Sequence, residues 1–276
     1  AILLDPEARS PTLDLDPAAG KLREPIVKLI GLLRSLEYVP SHGGELDLPR
    51  LEDKLGEQVF DSPTVFNFYF PDYAPDGAVA GAKLHSPEAQ ILTAPTAISH
   101  LNGVSSLVRN GLASCSGGFG MRCPPSKEAL AQSDGVLAFS PRLPPNFTRA
   151  EAAQQTVAQL DVLLTGGRLH PANREYISDA VAAFLGANLS APRLRSAVGV
   201  AEELFGLLPE FHATTFNARR AVKRTLPAPP PPPPPGRGYK ALLYLYLDGG
   251  ADTYSHLVPL SGCEVGADLF AQYTAL

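Results

Sequence analysis

The chain has 276 residues, of which 45% are hydrophobic and 18% charged, so it can fold around a sizeable core. A formal net charge of -5 and a pI near 5.7 argue against a nucleic-acid partner, because such proteins usually present a basic face. No run of about 18 apolar residues occurs, so the sequence predicts no membrane span. The 28 prolines exclude a coiled coil and a simple bundle of long helices.

The first predicted elements are helices. Apolar residues at helical spacing predict a helix over residues 22–34, with Pro25 in its first turn. A second helix is predicted over residues 86–102, with a kink at Pro95. The residues expected to face the core in the first helix are Ile26, Leu29, Ile30 and Leu33.

Two segments of the first half read as irregular. Prolines bracket an aromatic cluster in residues 61–73, which predicts an extended segment packed into the core. Residues 114–125 are rich in Gly and Ser, which predicts a loop.

Further helices are predicted in the second half of the chain. Thr148 is a typical N-cap, and Glu151 stands at the position that completes a capping box, so a helix is expected through Leu164. A Gly-Gly pair follows and should end it. Two more helices are predicted over residues 173–186 and 192–208.

The composition changes abruptly after residue 226. An unbroken run of prolines from Pro229 to Pro235 must adopt polyproline II and act as a semi-rigid linker, which we place at residues 227–238. Residues 240–247 then read as a buried strand that ends in a Gly-rich turn with acids. The predicted fold class is therefore mainly α with long irregular loops, a polyproline linker, and the start of an α/β domain at the C-terminus. Because the chain stops soon after this domain begins, we expect it to be a piece of a longer protein.

Several short motifs carry a resemblance to a known family. They are, in chain order, AILLDPEAR (1–9), GKLREP (20–25), SPTVFNFY (62–69), PDY (71–73), PEAQI (87–91) and LPEF (208–211). In this order they resemble the C-terminal half of domain of unknown function 1800, which implies a helical domain over residues 1–226. The motif YLYLDGGAD (244–252) resembles the opening of domain of unknown function 1501, which looks like a relative of alkaline phosphatases and sulfatases. That resemblance assigns residues 239–276 to an α/β domain.

The second resemblance supplies the metal-ligand candidates. In the phosphatase and sulfatase superfamily an acid after the first strand binds a divalent metal, a role that would fall to Asp252 with help from His256. Acids in Gly-rich turns are also ordinary turn chemistry, and a complete site needs further ligands. We therefore expect no cofactor in this piece; the resemblance implies a divalent metal only in the complete domain.

No catalytic residue is predicted for the piece. A catalytic set of acids could be formed by the pair Arg23–Glu24 together with Asp72 and Glu88. Charged residues in such motifs, however, more often hold loops onto helices through buried hydrogen bonds. The histidines are scattered, without the spacing of a zinc-binding helix, and are expected to be structural. No P-loop, dinucleotide-binding or nucleophile-elbow motif occurs.

Cysteines and sequons bear on the compartment. Cys115 and Cys123 flank a short Gly-rich loop that a disulfide can close, whereas Cys263 is left over. Asn146 and Asn188 each begin a glycosylation sequon. With the proline linker, these features favour a secreted or cell-surface protein.

The function that follows is that of a structural or assembly module. We expect it to contact other segments of its parent protein or of a larger assembly, with no catalysis by this piece. The alternative is part of a metal-dependent hydrolase of phosphate or sulfate esters, whose site would lie mostly beyond residue 276.

Overall fold

A computed structural model describes residues 19–43, 46, 48, 50–187 and 189–214 of the chain. These residues are mainly helical, with two short strands and long connections, as the sequence predicts. The predicted linker at residues 227–238 and the predicted α/β opening at residues 239–276 lie outside the described residues and stay predictions. Within the described ranges, no helix is long and apolar enough to cross a lipid bilayer.

The elements follow one another in this order: α1 (Pro25–Ser35), β1 (Tyr38–Pro40), α2 (Leu51–Leu55), α3 (Ala78–Gly81), α4 (Ala94–Asn110), β2 (Gly135–Leu137), α5 (Arg149–Leu160), α6 (Pro171–Leu185), α7 (Ala191–Gly206) and α8 (Pro209–His212). Strands β1 and β2 pair antiparallel, with Val39 opposite Val136. Short 3-10 turns occupy Pro87–Gln90, Cys115–Gly117 and Lys127–Gln132, and a π-helical turn, Asp161–Thr165, extends α5.

Capping explains where the longer helices begin. The hydroxyl of Thr148 accepts a hydrogen bond from Glu151 N at 3.2 Å, and the Glu151 carboxylate accepts one from Thr148 N at 2.7 Å, which is the capping box that the sequence predicts. The π turn ends at Gly166, whose φ of 67° is left-handed.

The prediction of one kinked helix over residues 86–102 is wrong. A 3-10 turn ends at Gln90, and α4 starts separately at Ala94 because Thr93 caps it with a second capping box. Pro95 therefore lies in the first turn of α4, where a missing N–H breaks no hydrogen bond, and it causes no kink.

The core lies among the four longest helices. Helix α5 packs on α6, α6 on α7, and α4 on α7, while α2 covers α4 and α1 contacts the π turn. The fully buried side chains at their centre include Leu107, Val157, Leu160, Ile177, Val181, Ala201 and Phe205. On α1, Leu29 and Leu33 are buried as expected, whereas Ile26 and Ile30 are only partly buried and Lys28 is buried instead.

The prediction that the aromatic segment packs into the core is also wrong. Phe66 is 62% exposed and Phe70 is 50% exposed, and their ring centroids lie 6.3 Å apart. Polar bonds anchor the segment instead: the Tyr69 hydroxyl donates to Glu24 at 2.6 Å, and Phe70 N donates to Gln90 Oε1 at 2.7 Å.

The two ends of the described chain meet. Leu22 and Ala213 form an isolated antiparallel bridge, and Arg23 N donates to the carbonyl of His212 at 2.9 Å. Thr214 N donates to the carbonyl of Lys21 at 2.8 Å. These bonds hold the start of α1 against α8 and so form one wall of a pocket.

Candidate functional site: a basic pocket between α1, α4 and α8

The pocket has a volume of about 280 Å³. Its polar side chains are Arg23, Lys28, Glu88, Thr96, His100 and His212. Its remaining walls are apolar and include Leu22, Pro25, Leu55, Leu92, Leu101 and Leu207. The surface of the pocket is mostly hydrocarbon, with polar groups at a limited number of points, which is typical of a small-molecule site.

Lys28 is buried on α1, with 3% of its surface exposed. Its Nζ lies 3.1 Å from Nδ1 of His212, whose Nε2 lies 2.9 Å from the carbonyl of Gly206. A carbonyl only accepts, so Nε2 carries the proton and Nδ1 accepts from the Lys28 ammonium. Burial first, and then the charge of Lys28, lower the pKa of His212 to about 4, so this ring is neutral.

The ammonium of Lys28 contacts no acidic group of the described residues. Among the described residues no carboxylate lies within 4.0 Å of its Nζ. Burial and the nearby Arg23 lower the pKa of Lys28 to about 8, and the charge of Glu57 offsets only part of this effect. A buried cation without a counter-ion is costly, which makes the pocket receptive to an anion.

His100, on α4, is 3% exposed and lines the same pocket. Within the described part of the chain neither of its ring nitrogens has a hydrogen-bond partner. Its ring packs between that of His212, at 5.6 Å between centroids, and that of Phe119, at 6.2 Å. Burial, followed by the charge of Lys28, lowers the pKa of His100 to about 3. The neutral ring therefore offers one donor and one acceptor to a ligand.

Arg23 is held in one orientation at the rim of the pocket. One guanidinium nitrogen donates to the carbonyls of Phe211 at 3.0 Å and Leu164 at 3.3 Å, and the guanidinium lies 5.2 Å from the Phe211 ring centroid. Burial lowers the pKa of Arg23, but an arginine stays charged at neutral pH.

The acids around the pocket are engaged elsewhere. Glu24 accepts a hydrogen bond from the Tyr69 hydroxyl, and Glu88 accepts one from the Lys21 ammonium at 2.9 Å. Buried Glu57 accepts a hydrogen bond from Ile26 N, and burial raises its pKa to about 7. Of the four-residue set considered from the sequence, the structure thus brings Arg23 and Glu88 to the pocket and ties Glu24 to the aromatic segment.

Asp72 completes that set and is not among the described residues that line the pocket. Its backbone carbonyl lies 2.8 Å from Nδ1 of His85, outside the pocket lining.

A second cavity, of about 510 Å³, lies between α4, α7 and β2. Buried Glu202 lines it, and among the described residues its Oε1 has no hydrogen-bond partner. Burial raises the pKa of Glu202 to about 7. The guanidinium of Arg195, which also lines this cavity, donates hydrogen bonds to the carbonyls of Phe139, at 2.6 Å, and Leu137.

The structure places some of the remaining residues that the sequence analysis singled out: the cysteines, the sequon asparagines and the predicted metal ligands. Cys115 and Cys123 lie at disulfide-bonding distance, with Cα atoms 5.1 Å apart, in the loop predicted there. Asn146 is exposed just before the N-cap of α5. The residues that lie outside the described ranges are Asn188, Asp252, His256 and Cys263, so their predicted roles stay predictions. Within the described ranges no cluster of three or more His, Cys, Asp or Glu side chains could hold a metal ion.

Lys28, His100 and His212 were missed from the sequence as site residues. The two histidines come from elements far apart in the chain, and no local spacing links them. A signal did exist for Lys28: it lies three residues after Pro25 and four before Leu32, on the buried face of α1. An ionisable residue on a buried helix face indicates either a buried partner or a binding site.

Comparison with known proteins agrees with the first resemblance. No curated protein and no solved structure matches the chain. A family model described as "Protein of unknown function (DUF1800)" matches residues 1–212, which include every residue of the pocket. The chain therefore belongs to the DUF1800 family.

Proposed function

We propose that this domain is a binding module of a larger secreted or surface protein, and that it holds a small organic anion in the basic pocket. The observation that carries the proposal is the buried ammonium of Lys28, which no described carboxylate contacts. It lines the same pocket as the ring of His100, to which no described residue forms a hydrogen bond. An anionic group would neutralise Lys28 and accept or donate a hydrogen bond at His100.

The pocket also limits the shape of the ligand. Most of its walls are hydrocarbon, so the favoured ligand carries one anionic group on an apolar body. A cavity of about 150 Å³ accommodates benzene, and about 280 Å³ therefore suits an aromatic ring with a short acidic side chain.

Binding of phenyllactate to the 276-residue chain tests the proposal. We expect phenyllactate to raise the melting temperature in a dose-dependent way, because a ligand that binds only the folded state stabilises it. Lys28→Met and His100→Leu should each abolish the shift, whereas Lys83→Met, at an exposed lysine, should preserve it. An equal shift in all four proteins would contradict binding in this pocket.

An assembly role is the second part of the proposal, and the exposed aromatic segment supports it. Val65, Phe66 and Phe70 are each at least half exposed, and exposed apolar side chains of this kind typically mark contacts with other protein segments. If the segment contacts its parent or a larger assembly, Phe66→Ser with Phe70→Ser should weaken co-purification of the native complex without lowering the melting temperature of the isolated chain.

The secreted or surface location is supported by the cysteine pair. Glycopeptide mass spectrometry of protein from the native source should find glycan on Asn146; unmodified Asn146 together with free thiols would contradict the location. The alternative function, a metal-dependent ester hydrolase, depends on Asp252 and His256 and is a proposal about the C-terminal domain.

A further inference from the structure

We propose that Lys28 is a carbonyl-reactive amine and that the anion held in the pocket is an oxo acid, which forms an imine with Lys28. The proposal rests on the proposed binding of an organic anion and adds a substrate class to it. Three features carry it: a buried amine in an apolar pocket, a proton acceptor in contact with that amine, and a free donor beside it.

The amine and its proton acceptor are already in contact. Nζ of Lys28 lies 3.1 Å from Nδ1 of His212, and the orientation of that ring is fixed by its bond to Gly206. With a pKa of about 8, about a tenth of Lys28 is the neutral nucleophile at pH 7, far more than for an exposed lysine.

An oxo acid carries a carboxylate and a carbonyl oxygen, and Arg23 and His100 are placed to bind one each. Arg23 stays charged, is oriented by two backbone carbonyls, and can pair with the carboxylate. His100 is neutral and has no hydrogen-bond partner among the described residues, so its ring N–H can donate to the carbonyl oxygen and polarise it.

The reaction balances without an oxidant or reductant. Lys28 first loses one proton to Nδ1 of His212. The neutral Lys28 nitrogen then attacks the carbonyl carbon, a C–N bond forms, and the π electrons move to the oxygen, which takes up the proton from His212. A second proton moves from the nitrogen through His212 to the resulting hydroxyl group, which leaves as one water molecule, so that a protonated imine remains. This iminium keeps a positive charge where the ammonium stood, so the bound carboxylate stabilises the product as well as the substrate.

The test uses a matched pair of ligands on the 276-residue chain. Phenylpyruvate has the carbonyl, and phenyllactate has the same skeleton with a hydroxyl in its place. Each is incubated with the protein and sodium cyanoborohydride, which reduces an imine to a stable secondary amine, and the product is mapped by peptide mass spectrometry. The variants are Lys28→Met and, as an exposed control, Lys83→Met.

We expect the phenylpyruvate adduct to form mainly on Lys28, at more than ten-fold higher occupancy than on Lys83, because a much larger fraction of the Lys28 amine is neutral. Phenyllactate should give no adduct, and Lys28→Met should lose the adduct while Lys83→Met keeps it. If both acids raise the melting temperature but Lys28 stays unmodified, anion binding holds and the imine proposal is overturned. If neither acid changes the melting temperature and Lys28 stays unmodified, both proposals fail for this ligand class.

Discussion

Lys28 and His212 are 184 residues apart in sequence, yet Nζ of Lys28 donates a 3.1 Å hydrogen bond to Nδ1 of His212. The bond joins the first long helix of the described chain to its last short one. Because His212 is neutral, it satisfies a donor of Lys28 without neutralising its charge. The pocket therefore keeps a buried positive charge that is useful for binding and costly for stability.

We expect Lys28→Met to raise the free energy of unfolding at neutral pH by about 1–2 kcal/mol. The substitution removes a buried ammonium and fills the same space with hydrocarbon, and the unpaired Nδ1 of His212 offsets part of the gain. Urea denaturation measures the change, with exposed Lys83→Met as a control that should alter it little. A loss of stability specific to Lys28→Met would show that Lys28 has a structural role.

Glu202→Gln should stabilise the protein in a pH-dependent way. In the folded state the pKa of Glu202 is raised by burial from 4.5 to about 7, so the protonated carboxyl favours folding below 4.5 and this contribution is lost as the pH rises through 7. Gln cannot ionise, so the variant should match the wild type near pH 4 and exceed it by about 2–3 kcal/mol near pH 8.

Denaturation curves at several pH values measure that difference. Exposed Glu175→Gln is the matched control and should show no such growth with pH. A Glu202→Gln effect that is constant across the pH range would mean that the pKa of Glu202 is not raised in the folded state.

Removing the Cys115–Cys123 pair should lower stability. A bond that closes a loop of this length, with a sequence separation of 8, restricts the unfolded chain and is worth about 2–3 kcal/mol. The variant with Cys115→Ser and Cys123→Ser should unfold at correspondingly lower urea concentration, and added reductant should affect the wild type alone. Non-reducing peptide mapping that finds both thiols free would remove the basis of this expectation.

Gly103→Ala should destabilise the wall of the pocket. A Cβ on Gly103 would overlap the ring of Phe119, which packs in turn against His100. Overpacking of this kind typically costs about 1–3 kcal/mol. Gly81→Ala is a suitable comparison, since nothing lies within 4 Å of a Cβ there, and it should change the melting temperature little. Equal effects of the two substitutions would contradict a tight contact between Gly103 and Phe119.

Local signals in the sequence predicted much of the fold. The capping box of Thr148 and Glu151 and the proline in the first turn of α1 are short-range features, and the structure has both. The kink expected at Pro95 failed because Thr93 caps a new helix, which makes a first-turn proline harmless. The prediction that the aromatic segment packs into the core was wrong for another reason. Hydrogen bonds of Tyr69 and Phe70 hold the segment at the surface, and aromatic composition alone does not show which side chains are buried.

The pocket was beyond sequence reasoning because its groups meet only in the folded chain. His100 and His212 have no common spacing pattern, and whether a described residue bonds to the His100 ring depends on every element packed around it. Of these three residues, Lys28 alone could have been identified from local sequence, because it is an ionisable residue on the buried face of α1.

The bridge between Leu22 and Ala213 has a consequence for kinetics. A contact that closes a loop of almost the whole described chain has a high entropic cost. It should therefore form late in folding, after the helices of the core have associated. A ligand in the pocket would then stabilise the native state more than the folding transition state. Its binding should slow unfolding while leaving the folding rate nearly unchanged, which would lengthen the lifetime of the protein in an environment with proteases.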